Sequence, residues 1–445
     1  MRIIRRSLGI CLWCQVMLVV PLVLLLVQRP KLMPLFEKSK EGCRRVDTNS
    51  DQLNVTESHT TKDVDGESET RAPVPSHTNR TKAPSKPFIH PSKPFSSPSK
   101  RPLRADDFEA EPKWSFDDDY KMDPFSSNTS CPSSVTSNAR HSDWLSPIFL
   151  PKIKIFMDNS DFSNEIWDRL QHFIPPFGWM ELNYTVVKDV VSALPPLPDQ
   201  QILQAAQKPQ DPQCFSCAVV GNGGILNGSG VGREIDSHAY VFRVNGAVIK
   251  GFEDDVGSRT SFYGFTAYTM LASLSDTQLK KRGFSKIPKD NETRYILFAE
   301  APRDYAWLDA LQKNKDIIKG TLENYRKHPR DDFGDSFDPK KLFVSHPDFM
   351  RYLKNRFAHG DILKTHRWMA YRPSTGALLL LTALHLCDKV SAYGFMTDDF
   401  YKYSDHYYDV KSSPIKFYAN HDFRLEKHLW KHLHRENIIK LYQRR

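Results

Sequence analysis

The first pattern along the chain is an unbroken apolar run, Leu8–Val27, with no charged residue in it. Its 20 residues, at about 1.5 Å each, match a bilayer core of about 30 Å, so it reads as a membrane-spanning helix. A cleaved signal peptide has an apolar stretch of only about 7–15 residues and a small-residue cleavage site. Here the run ends in Gln-Arg-Pro-Lys-Leu without such a site, and an uncleaved anchor is expected. From Gln28 to Ser130 apolar periodicity disappears. This stretch holds 12 of the 30 prolines and repeats Ser-Lys-Pro-Phe at Ser85 and Ser92, the composition of an extended spacer.

Beyond residue 131 the pattern changes to short apolar runs alternating with segments of helical period. Ile153–Phe156, Ala218–Gly221, Ala239–Arg243, Tyr295–Phe298 and Lys389–Tyr393 are expected to be buried strands. Ile166–Phe173, Thr266–Ser275, Asp304–Asn314, Pro347–Phe357 and Gly376–Leu386 are expected to be helices. That alternation predicts an α/β fold, a mostly parallel sheet flanked by helices. Four parts follow: a tail at 1–7, an anchor at 8–27, a stem at 28–130 and a folded body at 131–445.

Charge and sequons orient these parts. Arg2, Arg5 and Arg6 precede the span and Arg29, Lys31, Lys38 and Lys40 follow it, so the positive-inside rule does not choose a direction. Six Asn-x-Ser/Thr sequons all follow the span: Asn54, Asn79, Asn128, Asn183, Asn227 and Asn291. Together they favour a lumenal body and a single-pass type II protein. The stem balances 17 Lys+Arg against 17 Asp+Glu, leaving the body at net +6. That excess suits an anionic substrate, and no basic, aromatic-studded helix points to nucleic acid.

Four cysteines lie in the body, at 131, 214, 217 and 387. In an oxidising compartment they predict two disulfides, with three pairings open and Cys217–Cys387 preferred for its long loop. A zinc site needs further ligands at matching spacing, and the body holds no second Cys-x-x-Cys. Cys217 leads into Ala-Val-Val and then the glycine turn Gly221-Asn222-Gly223-Gly224. Such a turn can bring backbone N–H groups close to a phosphate, although neither a dinucleotide fingerprint nor a Lys-Ser/Thr phosphate loop follows. Asn222, and Asn245 after the next strand, offer amides at strand ends.

These residues carry a resemblance. Cys214–Thr266 resembles the large sialylmotif of the animal sialyltransferase family, and Tyr371–Thr397 its small motif. His406–Asp409 (HYYD) resembles the third motif, and His421–Glu426 (HDFRLE) the very small one. The wording around Gly232–Thr266 is most similar to the subgroup that attaches sialic acid α2,6 to protein-linked N-acetylgalactosamine. The resemblance implies a GT-A-like variant fold with one Rossmann-type sheet and the donor CMP-sialic acid. It implies mucin-type O-glycoprotein acceptors and a Golgi membrane location. It assigns Asn222 and Asn245 to CMP, and Ser374, Thr375 and Gly376 to the cytidine and ribose. The family's disulfide joins the two large motifs, implying Cys217–Cys387 and leaving Cys131 with Cys214.

Inverting transfer needs a base for the acceptor hydroxyl and a donor for the leaving phosphate. His421 matches the family's base. His406 matches the phosphate partner, with Tyr371 and the Gly223 turn nearby, and Glu426 is expected to orient rather than react. Asp117–Asp119 and Asp254–Asp255 superficially offer the D-x-D metal site of other glycosyltransferases. A CMP donor carries one phosphate, so histidine and amides suffice, and no metal cofactor is expected. Asn54, Asn79, Asn128, Asn183 and Asn291 are expected to carry glycans. Asn227, in the turn, is expected to stay bare.

Overall fold

The computed structural model describes residues 101–444 apart from 124, 126–128, 209–212, 318–319, 321, 323 and 335–336. The tail, the anchor, most of the stem and the sequons at Asn54, Asn79 and Asn128 lie outside the described residues. Among the described residues, no helix is long and apolar enough to cross a membrane.

Eight strands form one sheet: β1 (Phe156–Met157), β2 (Ser216–Val220), β3 (Tyr240–Val244), β4 (Phe262–Phe265), β5 (Arg294–Leu297), β6 (Leu342–Ser345), β7 (Lys389–Tyr393) and β8 (Ile439–Leu441). Their order is β1-β6-β5-β4-β3-β2-β7-β8. All neighbours are parallel except β1 and β6. β2, β3, β5 and β7 match the expected strands to within one or two residues. The expected strand at 153–156 begins later, because Ile153 only bridges to Met122. β4 contains Gly264, which breaks its apolar pattern but lets the sheet lie against Leu379 of the helix Thr375–Leu386. β6 falls inside 325–348, which reads as loop in the sequence.

Helix Thr375–Leu386 packs on β2, β3, β4 and β7. Ten of its residues, Ala377–Leu386, are buried, so it is apolar around its whole circumference. Both disulfides have the expected pairing, Cys131–Cys214 and Cys217–Cys387. Cys387 ends this helix and Cys217 lies in β2, so the bond ties helix to central strand.

The boundary of the body moves. Residues 101–123, assigned to the stem by composition, pack against helix Pro347–Arg356. Arg351 donates to the carbonyls of Asp117 and Asp119, Lys354 pairs with Glu111, and Arg356 pairs with Asp118 at 2.9 Å. Arg351 and Lys354 are fully buried. Charged side chains that deep need partners, and this proline-bearing segment supplies them.

Candidate active site

In strand order, β3 to β6 run outward from β2 on one side and β7, β8 on the other. The order therefore reverses at β2, and open α/β sheets bind ligands beyond the carboxyl ends of strands at such a point. A cleft of about 320 Å³ opens there. Asn222, Gly223, Asn245, Ser374, Thr375, Gly376, His406, His421 and Glu426 all line it. Four segments far apart in sequence thus meet in one space.

The glycines at this point serve a purpose that their spacing does not disclose. The N–H of Gly221 donates to Tyr393 O at 2.8 Å, and that of Gly223 to Gly394 O at 3.1 Å. A Cβ on Gly223 would lie 2.5 Å from Gly394 O, and one on Gly224 would lie 2.1 Å from Ser404 O. These glycines let the β2 and β7 loops and the 404–406 loop touch backbone to backbone. The N–H groups of Gly221 and Gly223, expected to face a phosphate, are occupied by carbonyls. Asn222 donates from Nδ2 to Asn245 O at 3.0 Å, while its buried Oδ1 has no partner. That orphan acceptor, at the cleft wall, suits an amine or hydroxyl of a nucleoside.

Opposite the turn stands the N-terminus of helix Thr375–Leu386. Ser374 caps it through Oγ, which accepts from Ala377 N at 3.1 Å. The N–H groups of Thr375 and Gly376 fall in the first turn, where no helical carbonyl can reach them. They and the helix dipole favour an anion. Glu426 receives Ser374 N at 2.8 Å and Ser374 Oγ at 2.7 Å. Burial pushes its carboxyl up to about 7, so it orients the cap.

Nδ1 of His421 lies 2.8 Å from Arg372 O. A carbonyl only accepts, so Nδ1 carries the proton and Nε2 presents its lone pair, which Asn420 Nδ2 meets at 3.2 Å. Burial lowers the pKa of His421, partly offset by its bond to the Arg372 carbonyl. A neutral imidazole whose Nε2 lone pair is held only by the Asn420 amide has the form a general base requires. The His406 ring stacks on Tyr408 with centroids 5.0 Å apart, and the His406 backbone N–H donates to Asp409 Oδ2 at 2.9 Å. Tyr407 N donates to Asn222 O at 3.0 Å, joining this segment to the glycine turn.

Other residues depart from expectation. Tyr371 lies outside the cleft lining; it is buried, and its hydroxyl donates to Ala358 O at 2.5 Å. Asn227 is exposed and also outside the lining, with Nδ2 donating to Tyr407 O at 2.7 Å. Exposed Asn183 and Asn291 remain accessible. Asp255, of the superficial D-x-D pair, lies in the short helix Glu253–Val256 and accepts the N–H groups of Gly228 and Gly230. Among the described residues no cluster of three His, Cys, Asp or Glu could hold a metal ion. Sequence reasoning missed Arg372, Asn420, Lys416 and Tyr418. Only Arg372 left a signal, since Pro373 behind it keeps the chain extended and its carbonyl free of helix.

The family profile of glycosyltransferase family 29 (sialyltransferase) matches residues 156–438. The chain belongs to that family. A sialyltransferase sheet thus underlies the cleft, and the curated relatives agree. Alpha-N-acetylgalactosaminide alpha-2,6-sialyltransferase 1 of Gallus gallus is 58% identical over 78% of this chain and 61% of its own length. The protein of the same name from Homo sapiens is 50% identical over 77% of this chain and 57% of its own. Alpha-N-acetylgalactosaminide alpha-2,6-sialyltransferase 2 of Homo sapiens is 44% identical over 67% and 78%. The chain therefore spans about three fifths of the length of the type 1 relatives. A solved mammalian sialyltransferase shares the fold, with TM-score 0.52 and 24% identity over 72% of this chain and all of its own. A mammalian sialyltransferase in complex with Gal-beta-1-3GalNAc-ortho-nitrophenol shares it too, with TM-score 0.51.

Proposed function

We propose that this sialyltransferase moves sialic acid from CMP-sialic acid to the 6-hydroxyl of N-acetylgalactosamine O-linked to Ser or Thr of glycoproteins. Transfer proceeds with inversion and without a metal cofactor. The observation that carries the chemistry is His421, held as a neutral imidazole with Nε2 accepting, in the same cleft as the helix N-terminus and His406. The CMP phosphate lies toward the Thr375 and Gly376 N–H groups and His406. Its base meets Asn222 Oδ1. His421 removes the acceptor proton as the bond to CMP breaks on the opposite face. The α2,6 linkage and the GalNAc acceptor rest on relatives 44–58% identical that carry those words in their names. The lumenal Golgi location, type II anchor at 8–27 and glycans at Asn54, Asn79, Asn128, Asn183 and Asn291 belong to the same reading.

The test is transfer to a GalNAc-Thr peptide from CMP-sialic acid in EDTA, with linkage analysis of the product. An α2,6 product supports the reading. A product on galactose only, or no product without added metal, overturns it.

A further inference from the structure

Residue 372 grips both His421 and Asn420, the neighbour that meets its acting nitrogen. Its carbonyl accepts from His421 Nδ1 at 2.8 Å, and its N–H donates to Asn420 O at 3.0 Å. Asn420 in turn donates to Nε2. This two-point grip is main-chain, so any side chain at 372 could form it, yet the residue is an arginine with its own anchor. Arg372 Nε lies 2.6 Å from Glu300 Oε2, an ionic contact rather than an aligned hydrogen bond. Glu300, nearly buried just past β5, also pairs with Arg303. The Arg372 side chain is thereby pinned to the sheet, and its backbone with it.

We infer that Glu300 and Arg372 are positioning residues for His421, holding the backbone clamp in place and tuning the imidazole through two opposed charges. Neither reaches the reacting atoms. The Glu300 carboxylate favours the protonated imidazole, and the Arg372 guanidinium disfavours it. The two charges therefore oppose each other at the ring, and removing either member shifts it in a known direction. Other charged groups near His421 come from its own segment and from across the cleft. Asp422 caps the following helix, Glu426 is bound to Ser374, and Asp405, His406 and Lys416 line the facing wall.

The inference rests on His421 being the base, so its test has one arm with turnover and one without. Glu300→Gln removes the charge and keeps the shape. Arg372→Gln removes the guanidinium that anchors the clamp and keeps its main-chain donor and acceptor. In kcat/KM against pH, the acid limb should move to lower pH in Glu300→Gln and to higher pH in Arg372→Gln. Turnover at neutral pH should fall roughly tenfold to a hundredfold with donor KM little changed, and Glu300→Asp should restore part of it. General damage to the fold cannot move the limb in opposite directions. Unmoved limbs in both variants, with His421→Ala inactive, would overturn the inference. The second arm follows ring resonances by NMR in unliganded enzyme, with His421 assigned by its loss in His421→Ala. Opposed shifts in its titration confirm the coupling whatever reaction is catalysed, and an unchanged titration overturns it.

Discussion

Ser374 binds both carboxylate oxygens of Glu426, one with its N–H at 2.8 Å and the other with its hydroxyl at 2.7 Å. The helix whose N-terminus faces the cleft is thus capped by a serine that is itself held by a buried acid. Burial raises the Glu426 carboxyl to about 7 from 4.5. A raised acid contributes stability in full below its unfolded pKa and loses it as pH rises to the folded one. Relative to Glu426→Gln, the unaltered enzyme should lose about 1.4 kcal/mol per pH unit between those values. Chemical denaturation of both proteins from pH 4 to 8 checks this, and a constant difference would refute it.

His421→Ala should lower kcat by roughly 10²–10⁴ while CMP binding, read by calorimetry, stays within about twofold. Because its pKa is depressed, activity should fall only as pH drops below the ordinary histidine range. An acid limb above pH 7 would contradict the neutral, Nδ1-protonated ring.

Gly223→Ala tests the close approach of the loops. Its φ of −63° suits any residue, so the cost is steric alone: a Cβ 2.5 Å from Gly394 O. CMP affinity should fall at least about tenfold, since prying the β2 and β7 loops apart displaces Asn222 by on the order of 1 Å. Unchanged affinity would mean that the glycine is not needed for the cleft's shape.

Lys354 is fully buried against Glu111, and desolvation drags its ammonium down to about 8. Glu111→Gln should cost roughly 3–5 kcal/mol, while Glu111→Leu with Lys354→Met should recover most of it. Likewise a protein beginning at residue 131 should unfold more readily than one beginning at 101. Equal melting temperatures would show that the 101–123 segment adds nothing.

Much of the fold was legible where a strand is buried on both faces and free of glycine. β2 and β5 announce themselves as apolar runs. β4 does not, because Gly264 interrupts it, and β6, Leu342–Ser345, follows directly on the polar Asp338-Pro339-Lys340-Lys341 that reads as loop. The docked 101–123 segment was illegible for a different reason. Its prolines and acids read as linker until the buried Arg351 and Lys354 that receive them are seen.

The four motifs, and His421 as a candidate base within one of them, are local properties, so the order of residues alone determined them. Tertiary structure alone decided which N–H groups are free, because Gly394 and Tyr393 arrive from about 170 residues downstream to take those of Gly223 and Gly221. It also removed Tyr371 from the cleft and gave Glu426 its cap, Lys354 its acid and Arg372 its hold on His421. Each of those outcomes depends on a partner distant in the chain, and desolvation acts on a charge only once the fold has brought that partner close.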